Sequence, residues 1–451
     1  MTAIIIFCAT SFLLVTGKIL RMKIRFLQKL YLPSSVIGGV VGLAIVQLCG
    51  QHTPAELVAG TQALPGFLIN VIFATLFLGS STPKFRQIWN MALPQLCMGQ
   101  LLAWGQYVIG LGLVGFLLIP LFHVPPAMGN LLEIGFEGGH GTVGGMVESF
   151  RHFHWEDGIA LGYTMATVGM VLGILVGMVL INWALAKGHI KGVRNFEDRG
   201  HLEQIGIYAP EERPPAGQQT VISDSLDSLA WHVALIGIAI AFGFAMLKFL
   251  QFTEVWLFPL ARQRFFAGFP LFPLCMIGGV LLQRGAEILK LDKLIDHGQM
   301  QRLSGASLDY LVVAAIATIK LSVVAANWLP LLILVICGTA WSVFMVVWLA
   351  PRLYPDSWFE RAIAEFGQSL GVTATGLMLL RTVDPENRTS AAASFGYKQL
   401  IHEPIMGGGL WTAIALPLVF SLGWQKVWVG CLIMLIFWAL MTCRICRKNR
   451  K

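Results

Sequence analysis

Charge is scarce in this sequence. Asp, Glu, Lys and Arg supply 12% of its 451 residues, against about 25% in soluble globular domains. The formal net charge of +8 would suit a nucleic-acid partner, but Lys and Arg fall in short clusters between apolar runs. Membrane orientation accounts for that pattern better than nucleic-acid binding does. A disulfide framework is excluded in another way, because the eight cysteines are scattered through apolar stretches. Cys443 and Cys446 form a lone C-x-x-C at the basic C-terminus, two ligands short of a zinc site. Acylation beside the membrane, or no role at all, fits that pair better. Residues 3–17 run into basic residues without a small-residue cleavage site, so no cleaved signal peptide is expected. With no nucleophile–base pair and no complete metal set, a membrane enzyme is the least supported reading.

What the sequence has in excess is apolar surface: 56% hydrophobic residues and a mean hydropathy of +0.70. These predict an all-α polytopic membrane protein. About 20 apolar residues span the hydrocarbon core. That length marks candidate spans at 3–20, 33–50, 64–81, 93–120, 157–184, 229–251, 264–283, 307–326, 329–350, 391–420 and 424–443. Two further segments, 127–149 and 359–381, are interrupted by Gly, Ser, Thr and acids. The long polar stretch 185–228 reads as an exposed linker between a first half, 1–184, and a second, 229–451.

Charge bias tells how the interrupted segments run. Basic clusters fall at Arg21–Lys29, Lys84/Arg86, Lys187–Arg213, Arg284–Arg302, Arg352/Arg361, Arg381/Arg388 and Arg444–Lys451. If 127–149 and 359–381 are re-entrant hairpins, all of these land on one side. The other side then holds Arg151, Arg262, Arg264 and Lys426, with Lys248 near a helix end. The positive-inside rule favours that arrangement, about 11 spanning helices plus two hairpins, with the N-terminus outside and the linker and C-terminus inside. The order of elements also repeats. Gly38-Gly39 and Gly278-Gly279 lie 240 positions apart, Gly162-Tyr163 and Gly396-Tyr397 234 apart, each set framing two spans and a hairpin. Two inverted-topology halves with broken segments at matching positions are a common transporter architecture.

The first hairpin carries Glu137-Gly138-Gly139-His140-Gly141-Thr142, and the second Ser369, Gly371, Thr373 and Thr375. Glycine brings the backbone close to a ligand, and hydroxyls with free carbonyls suit a hard cation such as sodium. Helix N-termini at the tips would face a substrate carboxylate. Close packing of small residues in lipid is the alternative. Glu137 and His140 form Glu-x-x-His, a di-metal motif only when a second copy faces it, and no second copy is present. Lys320, Lys398, His402 and Glu403 are further ionisable residues within predicted spans. Each is either functional or part of a structural ion pair.

Gly138-Gly139-His140-Gly141-Thr142 and Gly367-x-Ser369-Leu370-Gly371-x-Thr373 resemble the hairpin signatures of the bacterial sodium/glutamate symporters. Asn327-Trp328-Leu329-Pro330 and the Pro33…Gly38-Gly39 segment sit where that family has similar features. The resemblance implies an inner-membrane homodimer importing glutamate or a related small carboxylate with sodium as coupling ion, by an elevator-like movement and without another cofactor. It places Gly138 to Thr142 and Ser369 to Thr375 at the substrate and sodium sites, with sodium near Thr142, Ser369 and Thr373. Two positions depart from the family pattern. Glu137 stands where a small or hydroxyl residue is expected, and Ala374 where a proline is expected. Glu137 keeps a proton-coupled carboxylate carrier open beside sodium symport; a passive channel or membrane sensor is the reading from another class.

Overall fold

Hydrocarbon offers a peptide group no hydrogen-bond partner, so apolar runs close their own backbone as helices. The computed structural model describes residues 2–30, 32–49, 54–80, 85–190, 200–222, 224–257, 266–384 and 388–449, and the regular elements among them are all helical. Of the basic residues in the clusters above, Lys84, Lys191, Arg194, Arg199, Arg262, Arg264, Arg450 and Lys451 lie outside the described residues. Eight described helices are long and apolar enough to cross a membrane, and Ser34–Cys49 and Leu410–Leu422 are shorter apolar ones. Large side chains such as Phe12, Phe116, Ile336 and Phe437 project outward, as lipid contact requires.

In chain order the principal helices are α1 (Thr2–Lys23), α2 (Ser34–Cys49), α3 (Ala55–Thr75), α4 (Phe85–Leu113), α5 (Leu131–Phe136), α6 (Gly139–Gly145), α7 (Asp157–Ala186) and α8 (Ser228–Leu257). They continue as α9 (Phe272–Ile288), α10 (His297–Ala317), α11 (Leu321–Ala326), α12 (Trp328–Phe344), α13 (Trp358–Val383), α14 (Ala391–His402), α15 (Leu410–Leu422) and α16 (Trp424–Asn449). They sort into two packed groups, each drawing on both halves of the sequence. One holds α1, α2, α3, α8, α9 and α10; the other holds α4 to α7 and α12 to α16. In the first group α1 meets α2, and α8 meets α9, backbone against backbone. A Cβ on Gly38 would lie 2.3 Å from the Leu13 carbonyl oxygen, and one on Gly278 2.2 Å from that of Ala239. The short helix α6 packs on α7 while also touching α3 and α10, so it sits where the groups meet.

Both α4 and α12 loosen into a π-helical stretch, Val114–Leu118 and Met345–Leu349, before finishing as α-helix. Pro120 and Pro351 stand just beyond these stretches. Proline has no N–H and its ring collides with the carbonyl four residues back, and the wider turn relieves both faults.

Two expected spans are interrupted. The chain breaks between α10 and α11, and Lys320 at the junction is exposed. An ammonium inside hydrocarbon costs several kcal/mol, which counts against a continuous span through Lys320. The 391–420 run breaks after His402, because Pro404 cannot continue a helix and Gly407 and Gly408 turn at φ 65° and 107°. The segment that leads into α8 is pinned to the bundle. Asp296 accepts from the Gln218 N–H (3.0 Å), Gln299 donates to the Gln218 carbonyl (2.5 Å), and Thr220 donates to the Leu294 carbonyl (2.8 Å).

Candidate functional site

Two backbone breaks meet inside the second group. After α5 the chain passes Glu137 and Gly138, and Gly139 opens α6 at φ 70°. Opposite it, α13 is broken at Gly371 (φ −146°, ψ 36°) and Val372 (φ 60°, ψ 173°). Left-handed φ at a β-branched residue is strained, so the surroundings must impose it on Val372. A Cβ on Gly139 would lie 2.4 Å from Val372 Cγ1. Glycine is therefore required at Gly139 for both turn and clearance.

Around this crossing α4 supplies amides and α14 supplies charge. Tyr107 Oη donates to Glu133 Oε2 (2.6 Å), and Glu133 Oε1 accepts from the Gly407 N–H (2.9 Å) and Thr412 Oγ1 (2.8 Å). Glu133 thus has three donors. One turn later, on the same face, Glu137 has one. Its Oε1 lies 2.5 Å from His402 Nε2, while its Oε2 is buried without a partner.

The ring state of His402 follows from its neighbours. Trp104 Nε1 can only donate, so Gln100 turns its oxygen to Trp104 (2.8 Å) and its NH2 to His402 Nδ1 (3.2 Å). Nδ1 therefore accepts, and Nε2 carries the proton given to Glu137. His140 is served separately. Thr167 Oγ1 commits its proton to the Tyr163 carbonyl and so accepts from His140 Nε2 at 2.9 Å. Glu137 and His140 thus turn to different partners rather than to a common point.

Lys398 is fully buried, with Nζ 3.0 Å from Glu365 Oε2 and donating to Gln368 Oε1 at 2.8 Å. Gln95 Nε2 holds the other oxygen of Glu365 at 2.9 Å. Gly99 leaves room for the ammonium, since a Cβ there would lie 2.3 Å from Lys398 Cε. Thr373 donates to Glu403 at 2.7 Å and accepts from Gln399 Nε2 at 2.6 Å. Beyond the Lys398–Glu365 pair, the crossing is surrounded by three more carboxylates, Glu133, Glu137 and Glu403. Glu133 and Glu137 are buried and Glu403 half-buried, and buried charge needs a partner or a ligand.

Of the residues singled out from sequence, Gly138, Gly139, Gly371 and Thr375 lie buried at the crossing. Gly141 packs against Ile69 of α3. Thr142 Oγ1 donates to the Gly138 carbonyl (2.9 Å), and Ser369 donates to the Phe366 carbonyl (3.0 Å) and lies 3.2 Å from Ser342 Oγ. Among the described residues no hydrogen bond links Thr142, Ser369 and Thr373 to one another. Sequence reading missed Glu133, Glu365 and the glutamines of α4. A second carboxylate four residues before Glu137, and Gln95, Gln100 and Gln106 spaced along one apolar helix, were the signals available.

Residues 1–386 match the family model described as sodium/glutamate symporter. The chain is 23% identical over 381 residues to the sodium/glutamate symporter of Escherichia coli (strain K12), covering 83% of this chain and 87% of that protein. The same figures hold for the sodium/glutamate symporter of Shigella flexneri. The family match takes in both backbone breaks and ends before Lys398, His402 and Glu403.

Proposed function

The chain belongs to the sodium/glutamate symporter family, and on that premise we propose that it imports glutamate or a related small carboxylate, driven by sodium, through an alternating-access, elevator-like movement. It is a multi-pass membrane transporter, not an enzyme. The observation that carries the reading is the contact of two backbone breaks, Gly139 against Val372, inside a carboxylate-lined interior. Broken helices place free N–H and C=O groups where a substrate and an ion need them. Thr142, Ser369 and Thr373 each donate their hydroxyl proton to a protein oxygen. What they retain is a lone pair, which is what sodium takes.

In this proposal 127–149 and 359–381 are re-entrant hairpins of two inverted repeats, 1–184 and 229–451, joined by the cytoplasmic linker 185–228. Supporting it, the glycine contacts of α1–α2 recur in α8–α9, and the π-helical stretches begin 231 positions apart, at Val114 and Met345. The N-terminus is outside and the C-terminus inside, by the positive-inside argument. The group holding both breaks is the moving body and the other the scaffold, in a homodimer; the dimer rests on family resemblance alone. Sodium orders the tips and thereby raises substrate affinity. Purified protein in liposomes is expected to accumulate labelled glutamate under an inward sodium gradient. Accumulation driven equally well by a pH gradient alone would overturn sodium coupling.

A second reading, proton-coupled carriage, is favoured by one feature: Glu137 holds His402 with one oxygen and leaves the other without a partner. Glu137→Gln separates the two. Loss of pH dependence with binding retained supports proton coupling, and an unchanged pH profile counts against it.

A further inference from the structure

A second polar cleft lies away from the crossing, where the start of α7 faces the junction of α10 and α11. Its enclosed volume is small, about 40 Å³, and it opens outward, so a ligand would sit largely in its mouth; its polar lining is Gln62, Arg151, Glu156, Tyr163, Thr318 and Lys320. Tyr163 is 3% exposed, yet its hydroxyl has no hydrogen-bond partner. A buried hydroxyl without a partner is costly, so a group from outside is needed to complete it. Arg151 is steadied by Glu148 at 2.7 Å, an exposed pair at the rim. Lys320 has no partner among the described residues. The Thr318 hydroxyl proton goes to the Ala314 carbonyl (2.9 Å), leaving only lone pairs to face the cleft.

Two cationic side chains and one carboxylate, together with a hydroxyl donor, line the cleft and are the charge complement of a molecule bearing two carboxylates and one ammonium. We infer that this cleft is a docking site for an amino dicarboxylate, separate from the crossing of the two breaks. Arg151, Lys320 and Tyr163 take the carboxylates, and Glu156 takes the ammonium. The Tyr163 ring stacks on His140, with centroids 6.3 Å apart, so a ligand docked here is one side chain away from α6. The inference rests on the proposed cargo but requires no sodium, because no residue of the cleft belongs to the sodium-ordered tips.

The test is equilibrium binding of labelled L-glutamate to the purified full chain, in choline chloride and in sodium chloride. The expected result is a weak sodium-independent component beside a tighter sodium-dependent one. Lys320→Gln loosens the weak component by about tenfold, the worth of one charge-assisted hydrogen bond, and Tyr163→Phe loosens it less. Both variants keep the sodium-dependent component, which shows that they are folded. In the wild type, glutarate, which lacks the ammonium, competes worse than glutamate; in Glu156→Gln it competes equally well. Absence of sodium-independent binding, a component indifferent to Lys320→Gln, or equal competition by glutarate in the wild type overturns the docking site. Absence of the sodium-dependent component instead sinks the proposed symport and leaves the cleft to be read from choline alone.

Discussion

Glu133 and Glu137 are the same residue type, four positions apart on one apolar stretch, and their surroundings separate them. Glu133 is closed by a phenol, a hydroxyl and an amide N–H. Glu137 keeps an open oxygen. Residue type announced that a buried carboxylate must matter, but apart from Tyr107 the donors that reach the pair, at His402, Gly407 and Thr412, stand more than 250 positions further along the chain. Outside the spans, Asp384 shows the same dependence. Burial alone would raise its carboxyl, but the Thr389 hydroxyl, the Arg388 and Thr389 N–H groups and the Arg388 charge outweigh that and hold it below the ordinary value. A depressed carboxyl stabilises the fold at pH above its unfolded value and loses that contribution as pH falls through the folded one. Asp384→Asn is therefore expected to lower the thermal midpoint at neutral pH and to narrow its gap from wild type in acid. A gap that stays constant with pH would refute the assignment.

At the scale of elements, the two breaks depend on each other's shape. Gly139→Ala places a methyl against Val372 Cγ1 on a backbone turning at φ 70°, a strain of about 1–3 kcal/mol. It is expected to abolish uptake, and Val372→Ala in the same chain to restore a measurable part by clearing the space. A double variant no better than the single one would show that the tips do not meet in the working protein. The glycine-rich segments were legible because their composition is hostile to a continuous helix. The interruptions near Lys320 and after His402 were not read from hydropathy, since a window of apolar residues averages over one lysine or one proline. Pro404 with Gly407 and Gly408 carried that signal in plain view.

On the scale of the molecule, the helices divide into two bodies that meet at α6. Gly141 of α6 packs against Ile69 of α3 across the seam, a Cβ there lying 2.7 Å from Ile69 Cδ1. If the bodies slide during transport, a disulfide between Gly141→Cys and Ile69→Cys, in a background freed of native cysteines, stops uptake on oxidation. Reductant then restores it. Uptake indifferent to oxidation, with the cross-link shown to have formed, would argue against sliding. Local composition alone established the all-helical membrane class and marked the two glycine-rich, polar segments in which the backbone breaks fall. Those properties follow from local composition and from the cost of exposing peptide groups to hydrocarbon. Only the tertiary structure decided which helices from each half share a body, which carboxylate is closed and which open, and that the Arg151–Lys320 cleft exists at all. Each of these joins residues far apart in the chain, and local composition carries no information about which distant side chain will supply the missing hydrogen bond.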